Sequence, residues 1–227
     1  MRMEPEKRNN GENNSMFLGF YDYTVILTYI GLFSSLIGMM KSLEALKGIE
    51  HYGIAITCLV ISGICDMLDG RVARSKKNRT EDEKKFGIQI DSLCDLVCFC
   101  VYPAFLGYSL GLRGFWGTTS MCLFVLAGVI RLGYFNVMEE KRQQETKEAR
   151  KEYQGLPVTA IAIIFPVVYL LRPYMGILAY QRVLIAVMLT VALLNVSSIR
   201  VKKPDNKMIG VIILAALVII GKLLRLY

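Results

Sequence analysis

Four aspartates stand where an apolar chain should have none. Asp66 and Asp69 close one apolar run as Cys65-Asp66-Met67-Leu68-Asp69-Gly70, and Asp91 and Asp95 open the next as Gly87-Ile88-Gln89-Ile90-Asp91-Ser92-Leu93-Cys94-Asp95. On helices, the i,i+3 and i,i+4 spacings put each pair on one face. The two runs are consecutive, so their helices are antiparallel and both pairs face one small site near the same membrane boundary. One aspartate within a span costs at least about 2.5–3.5 kcal/mol on insertion scales; four together add mutual repulsion, and cations offset both. All-oxygen ligation suits Mg2+ or Mn2+ better than zinc or copper. Gly70 permits close backbone approach or a left-handed turn. The guanidinium forks of Arg71 and Arg74, just beyond it, fit phosphate oxygens. Metals held by aspartates beside an arginine can grip a pyrophosphate and stabilise displacement at phosphorus. From the residues alone, the chemistry is that of a metal-dependent enzyme acting on a phosphate ester at the cytoplasmic membrane face.

Other readings of the acids fit less well. As solvated helix caps, Asp91 and Asp95 would suit a helix N-terminus, but Asp66 and Asp69 would oppose the dipole at a C-terminus. A divalent-cation transporter would distribute acids through the bilayer depth, whereas these cluster at one boundary. A purely structural scaffold explains none of them.

The elements that must position the acids are transmembrane helices. The 227 residues are 54% hydrophobic and 20% charged, with mean hydropathy +0.42, which leaves no room for a large soluble domain. Long apolar runs place spans near 23–40, 52–68, 88–110, 115–137, 156–171, 177–199 and 208–224, with Arg172, Pro173 and Gly176 separating the fifth from the sixth. Basic residues concentrate in alternate connections: Arg2, Lys7 and Arg8; Arg71 to Lys85; Lys141 to Lys151; Arg200 to Lys207. This places the N-terminus and the loop after Asp69 in the cytoplasm. The net charge of +8 meets anionic headgroups there and needs no nucleic acid. The organisation expected is a cytoplasmic segment over 1–22, which is not a signal peptide, a membrane core over 23–199, and a loop with a last helix over 200–227. The stretch 139–154 reads as a solvated cytoplasmic helix. The six cysteines lie in apolar runs, so they read as small core residues, and the single histidine, His51, lies far from them. Met39, Met40 and the scattered tyrosines read as lipid-facing or interfacial, and Trp116 as a belt anchor.

The run Asp66-Met67-Leu68-Asp69-Gly70-Arg71-Val72-Ala73-Arg74, followed by Gly87, Asp91 and Asp95, resembles the DxxDGxxAR…GxxxDxxxD signature of the CDP-alcohol phosphatidyltransferase family. The spacer before Gly87 exceeds the family's usual one, so a longer cytoplasmic loop over 75–85 is expected. The resemblance implies an all-α integral membrane bundle: a six-helix core, usually dimeric, here with one extra span and its active site at the cytoplasmic face. It implies transfer of a phosphatidyl group from a CDP-linked lipid to a small alcohol, with release of CMP. Asp66, Asp69 and Asp91 would ligate two Mg2+ or Mn2+ ions. Asp95 would be the general base, close enough to ligate as well. Asp66, Gly70, Ala73, Arg74 and Gly87 would form the CDP-lipid site.

More of the chain resembles the phosphatidylserine synthases of that family. Asp91-Ser92-Leu93-Cys94-Asp95 with Phe99 and Pro103 is similar to their DSLxD…F…P pattern. Arg131-Leu132-Gly133-Tyr134-Phe135-Asn136 is similar to RLARFN, with Gly133 and Tyr134 where many relatives have Ala-Arg, and Gln154-Gly155-Leu156-Pro157 matches a Gly-Leu-Pro opening. The resemblance implies CDP-diacylglycerol and L-serine as substrates, a homodimer and a bacterial cytoplasmic membrane. Acceptors such as glycerol 3-phosphate or inositol phosphate would want more cationic side chains than Arg131 alone. Arg131 and Asn136 are candidates for the acceptor headgroup pocket, against the plainer reading of interfacial anchors. The resemblance would let Thr28 approach the nucleotide, but a bond from its hydroxyl to a carbonyl of its own helix is the expected arrangement.

Overall fold

The computed structural model describes residues 19, 23–47, 52–76, 80–145, 152–202 and 205–224. The expectations for residues 1–18, and for His51, Lys77, Arg79, Lys147, Arg150, Lys151, Lys203 and Arg225, lie outside the described residues, as does the side chain of Arg74.

After a short 3-10 turn, helix α1 (Ile26–Leu46) pairs along its length with α2 (Tyr52–Ser75). A rod follows, made of α3 (Glu81–Asp95), a π-helical segment (Leu96–Val101) and α4 (Tyr102–Ser109). Helix α5 (Gly114–Glu145), α6 (Ile161–Leu170, between 3-10 turns Val158–Ala160 and Arg172–Tyr174), α7 (Ile177–Val196) and α8 (Asn206–Leu223) complete the bundle. Two short strands, β1 (Glu152–Gln154) and β2 (Arg200–Lys202), pair antiparallel and tie the entry of α6 to the exit of α7. Among the described residues, five helical stretches, Tyr23–Leu46, Tyr52–Ala73, Glu81–Ser109, Gly114–Arg142 and Ile177–Val196, are long and apolar enough to cross a membrane. The chain is an all-α polytopic membrane protein.

Small residues set the α1–α2 contact. Gly31, Ser35, Gly38 and Ser42 recur every third or fourth residue on the buried side of α1. They let the backbones approach closely, as is common between helices in lipid. Ser35 Oγ lies 2.9 Å from Ser62 Oγ, which also bonds the Gly31 carbonyl at 2.8 Å, and Ser34 Oγ donates to the Cys58 carbonyl at 3.0 Å. The core beneath holds Phe99, Tyr102, Leu106, Phe124, Phe165, Leu184 and Met188.

Several local expectations change. Helix α2 runs to Ser75 because Arg71, Val72, Ala73 and Arg74 tolerate a helix beyond the apolar limit. Gly70 is therefore helical, and the left-handed turn expected there does not form; positive φ occurs, among the described residues, at Gly19, Gly111, Gly114 and Gly155. Part of the expected 75–85 loop is the first turn of α3. Thr80 caps it, accepting from the Glu83 amide at 3.1 Å while the Glu83 carboxylate accepts from the Thr80 amide at 2.8 Å. The 139–154 stretch is helical to Glu145 and a strand at Glu152–Gln154. Tyr102 and Tyr180 are core residues, not interfacial ones, at 0% and 2% exposure. The Tyr102 hydroxyl donates to the Ala55 carbonyl. Cys122 is exposed while the other five cysteines are buried.

The π segment has a local cause. Pro103 has no N–H for the carbonyl of Phe99, four residues back, and its ring crowds that carbonyl; the wider turn ahead of it relieves both. The change of pitch lets Asp91 and Asp95 face α2 while Tyr102 and Leu106 still point into the core.

Candidate active site

Helices α2 and α3 bring the four aspartates together, as their spacing requires. One carboxylate oxygen each from Asp66, Asp91 and Asp95 lies within 4.8 Å of the others. The carboxyls meet in pairs, Asp66 with Asp95 and Asp69 with Asp91. Asp69 is only 6% exposed, while Asp66, Asp91 and Asp95 are half-buried. Both pairs also lie away from free helix ends, Asp66 and Asp69 nearly two turns or more before the end of α2, and Asp91 and Asp95 beyond the second turn of α3 in a rod that continues through the π segment. The capping reading therefore fails on position, and for Asp69 on burial as well, not on dipole direction. A narrow cleft lined by Thr28, Gly31, Ser62, Asp66, Asp69, Asp95 and Phe99 opens beside the carboxylates.

Thr28, expected to bond its own helix, lines this cleft. Its Oγ1 donates to Asp69 Oδ2 at 2.9 Å, across from α1 and fully buried. The expected bond to its own helix is corrected: the α1 backbone lies so close to α2 at Gly31 that the hydroxyl reaches an acceptor with negative charge. Ser92, beside Asp91, is held by Asn136 of α5, with Ser92 Oγ donating to Asn136 Oδ1 at 2.6 Å. The Asn136 amide donates onward to Gln89 Oε1 at 3.3 Å. Asn136 thus joins the α3 face that carries the acids. Arg131 lies elsewhere: its guanidinium donates to the backbone carbonyls of Gln154 at 2.5 Å and Asn195 at 3.2 Å. Gly70 and Ala73 follow the first acid pair on α2, and Gly87 precedes Asp91 by one turn of α3.

The donor set fits a hard divalent ion. Three carboxylate oxygens converge, and Asp91 Oδ1 is buried with no hydrogen-bond partner among the described residues. Such an atom carries a desolvation cost that a cation offsets.

Comparison with known proteins agrees with this chemistry. The family model for CDP-alcohol phosphatidyltransferase matches residues 24–194, a segment that holds both acid pairs, α1 to α6 and all but the last two residues of α7. The chain is 32% identical over 154 residues to a CDP-diacylglycerol–serine O-phosphatidyltransferase of Saccharomyces cerevisiae, covering 66% of this chain and 54% of that one. It is 35% identical over 138 residues to the protein of that name in Helicobacter pylori, covering 58% and 51%. It is 27% identical over 195 residues to an archaetidylserine synthase of Methanothermobacter thermautotrophicus, covering 86% and 75%. The chain spans about half the length of the first two relatives. With the acid pairs on facing helices and three quarters of the chain matched, this protein belongs to the CDP-alcohol phosphatidyltransferase family.

Proposed function

We propose that the protein transfers the phosphatidyl group of CDP-diacylglycerol to the hydroxyl of L-serine, giving phosphatidylserine and CMP. The observation that carries the reading is the half-buried convergence of the Asp66, Asp91 and Asp95 carboxylates, one of whose oxygens, Asp91 Oδ1, is buried with no hydrogen-bond partner among the described residues. Serine as acceptor is supported by its presence in the names of the similar transferases.

In this reading Asp66, Asp69 and Asp91 would hold two Mg2+ or Mn2+ ions, with Asp95 close enough to ligate as well. Bound there, a divalent ion supplies positive charge for the pyrophosphate of the donor. Asp95 accepts the proton of the serine hydroxyl as its oxygen attacks the lipid-linked phosphorus. The bond from that phosphorus to the CMP oxygen breaks and CMP leaves. Thr28 orients Asp69 through its hydroxyl, so that the Asp69 lone pairs point into the cluster. The end of α2 over Gly70, Ala73 and Arg74, with Gly87 opposite, receives the cytidine diphosphate. Asn136 and Ser92 border the acceptor pocket. The acid-bearing end of the bundle faces the cytoplasm, and the protein works as a homodimer in the cytoplasmic membrane of a bacterium.

The test is CMP release by the detergent-purified chain given CDP-diacylglycerol and Mn2+ or Mg2+, with serine, glycerol 3-phosphate or inositol phosphate offered in turn. Release with serine alone is expected. Release only with a phosphorylated acceptor would retain the metal site and overturn the acceptor.

A further inference from the structure

The connection from α5 to α6 is fastened more heavily than a loop requires. Arg131 of α5 reaches two carbonyls on separate elements, Gln154 in β1 and Asn195 in the last turn of α7. The second is a carbonyl that α7 leaves without an intrahelical partner, at the negative end of its dipole. One turn along, Tyr134 donates from its hydroxyl to Gln154 Oε1 at 2.9 Å. Gln154 is therefore gripped at both its backbone and its side chain by the same helix. The next residue, Gly155, has φ +73°, and a Cβ there would lie 2.6 Å from Arg131 Nη1 and 2.7 Å from the Asn195 carbonyl oxygen. The Gly155 amide donates to the Ile199 carbonyl at 2.7 Å, and the Leu156 amide to the Leu194 carbonyl at 3.0 Å. The chain then enters the 3-10 turn Val158–Ala160, which packs against α2 and against the π segment that follows Asp95 in the chain. Val158 is 5% exposed and belongs to the hydrophobic core.

We propose that Arg131 and Tyr134 are positioning residues that clamp the 154–157 corner, so that the turn behind it seats the π segment and holds Asp95 at its working position opposite α2. Arginine suits this task because its planar fork serves two carbonyls at once, where a lysine ammonium is a single point charge. Tyr134, standing where many relatives have arginine, supplies the second grip through a neutral hydroxyl. The inference rests on Asp95 being the proton acceptor of the proposed transfer.

A clamp and a substrate contact leave different signatures. The full chain would be prepared as Tyr134→Phe, Gln154→Ala, the double variant and Arg131→Lys, with kcat and KM for serine measured alongside backbone hydrogen exchange at Gly155 and Leu156. Expected are a fall in kcat of about tenfold from small misplacement of the reacting groups, KM for serine within about twofold, and faster exchange at both amides. The double variant should be no slower than the worse single one, because both changes cut the same grip. A rise in KM for serine with kcat preserved would make Arg131 or Tyr134 an acceptor contact and overturn the clamp. Unchanged kcat and unchanged exchange in Tyr134→Phe, a conservative variant at an exposed side chain, would overturn it too. Silence of the unsubstituted chain with every acceptor would count against the proposed function, and the exchange rates alone would then decide the clamp.

Discussion

Replacing Thr28 by valine keeps the shape of the side chain and removes one atom of consequence, the hydroxyl that donates to Asp69 Oδ2 at 2.9 Å. A hydrogen bond to a charged group contributes about 1.5–3 kcal/mol. The bond is buried, so water does not replace it. If the loss falls on the orientation of a metal ligand, 1.4 kcal/mol per decade converts it to a fall of roughly 10- to 100-fold in metal affinity, the range seen when partners of metal ligands are removed. The assay is CMP release as a function of Mn2+ concentration for wild type, Thr28→Val and Thr28→Ser. Thr28→Val should shift half-saturation upward by that factor and recover most of its rate at high Mn2+, and Thr28→Ser should behave like wild type. A Thr28→Val protein with an unshifted metal requirement would refute the role given to this bond, and a rate that no concentration of metal restores would mean that Thr28 serves something other than the metal ligand.

The fold makes further predictions. Gly38→Ala would place a methyl group against the Tyr102 hydroxyl and Cys58 Cβ at the tightest point of the α1–α2 contact; overpacking of this kind costs about 1–3 kcal/mol, and thermal unfolding in detergent should show the loss. Thr80→Ala removes the reciprocal cap of α3, worth about 1 kcal/mol; amide exchange should quicken in the first turn of α3 with little change in CMP release. Gly155→Ala should express poorly, because a left-handed φ costs an L-residue roughly 1–2 kcal/mol before the contact with Arg131 is counted; folded yield near wild type would contradict the tight corner described above.

Much of the site was legible in the sequence because its signal is chemical. Carboxylates in an apolar run stand out, and the i,i+3 and i,i+4 spacings already put each pair on one face. Thr28 gave no such signal: a threonine in a span ordinarily satisfies itself, and only the close approach of α1 to α2 at Gly31 and Ser35 brings Asp69 within reach. The start of α3 was legible but unread, since Thr80-Glu81-Asp82-Glu83 has the spacing of a capping box. The end of α2 was misjudged because hydropathy marks where the membrane ends, whereas a helix ends where its hydrogen-bond partners run out. The π segment was hinted at by Pro103, but its consequence, the turned face of Asp91 and Asp95, depends on how α3 and the π segment pack against α1 and α5. The role of Arg131 was hidden because its partners, Gln154 and Asn195, lie 23 and 64 residues away.

The most direct test of a catalytic carboxylate cluster pairs two measurements on the same preparations: Mn2+ binding, and CMP release from CDP-diacylglycerol with serine, for wild type, Asp66→Asn and Asp95→Asn. Wild type should bind Mn2+ and release CMP in a serine-dependent way. Asp66→Asn should lose most of its Mn2+ binding together with its turnover, and Asp95→Asn should lose turnover even where Mn2+ is saturating. Sustained CMP release by Asp95→Asn, or metal-dependent ion flux in liposomes without CMP release by wild type, would contradict the assignment.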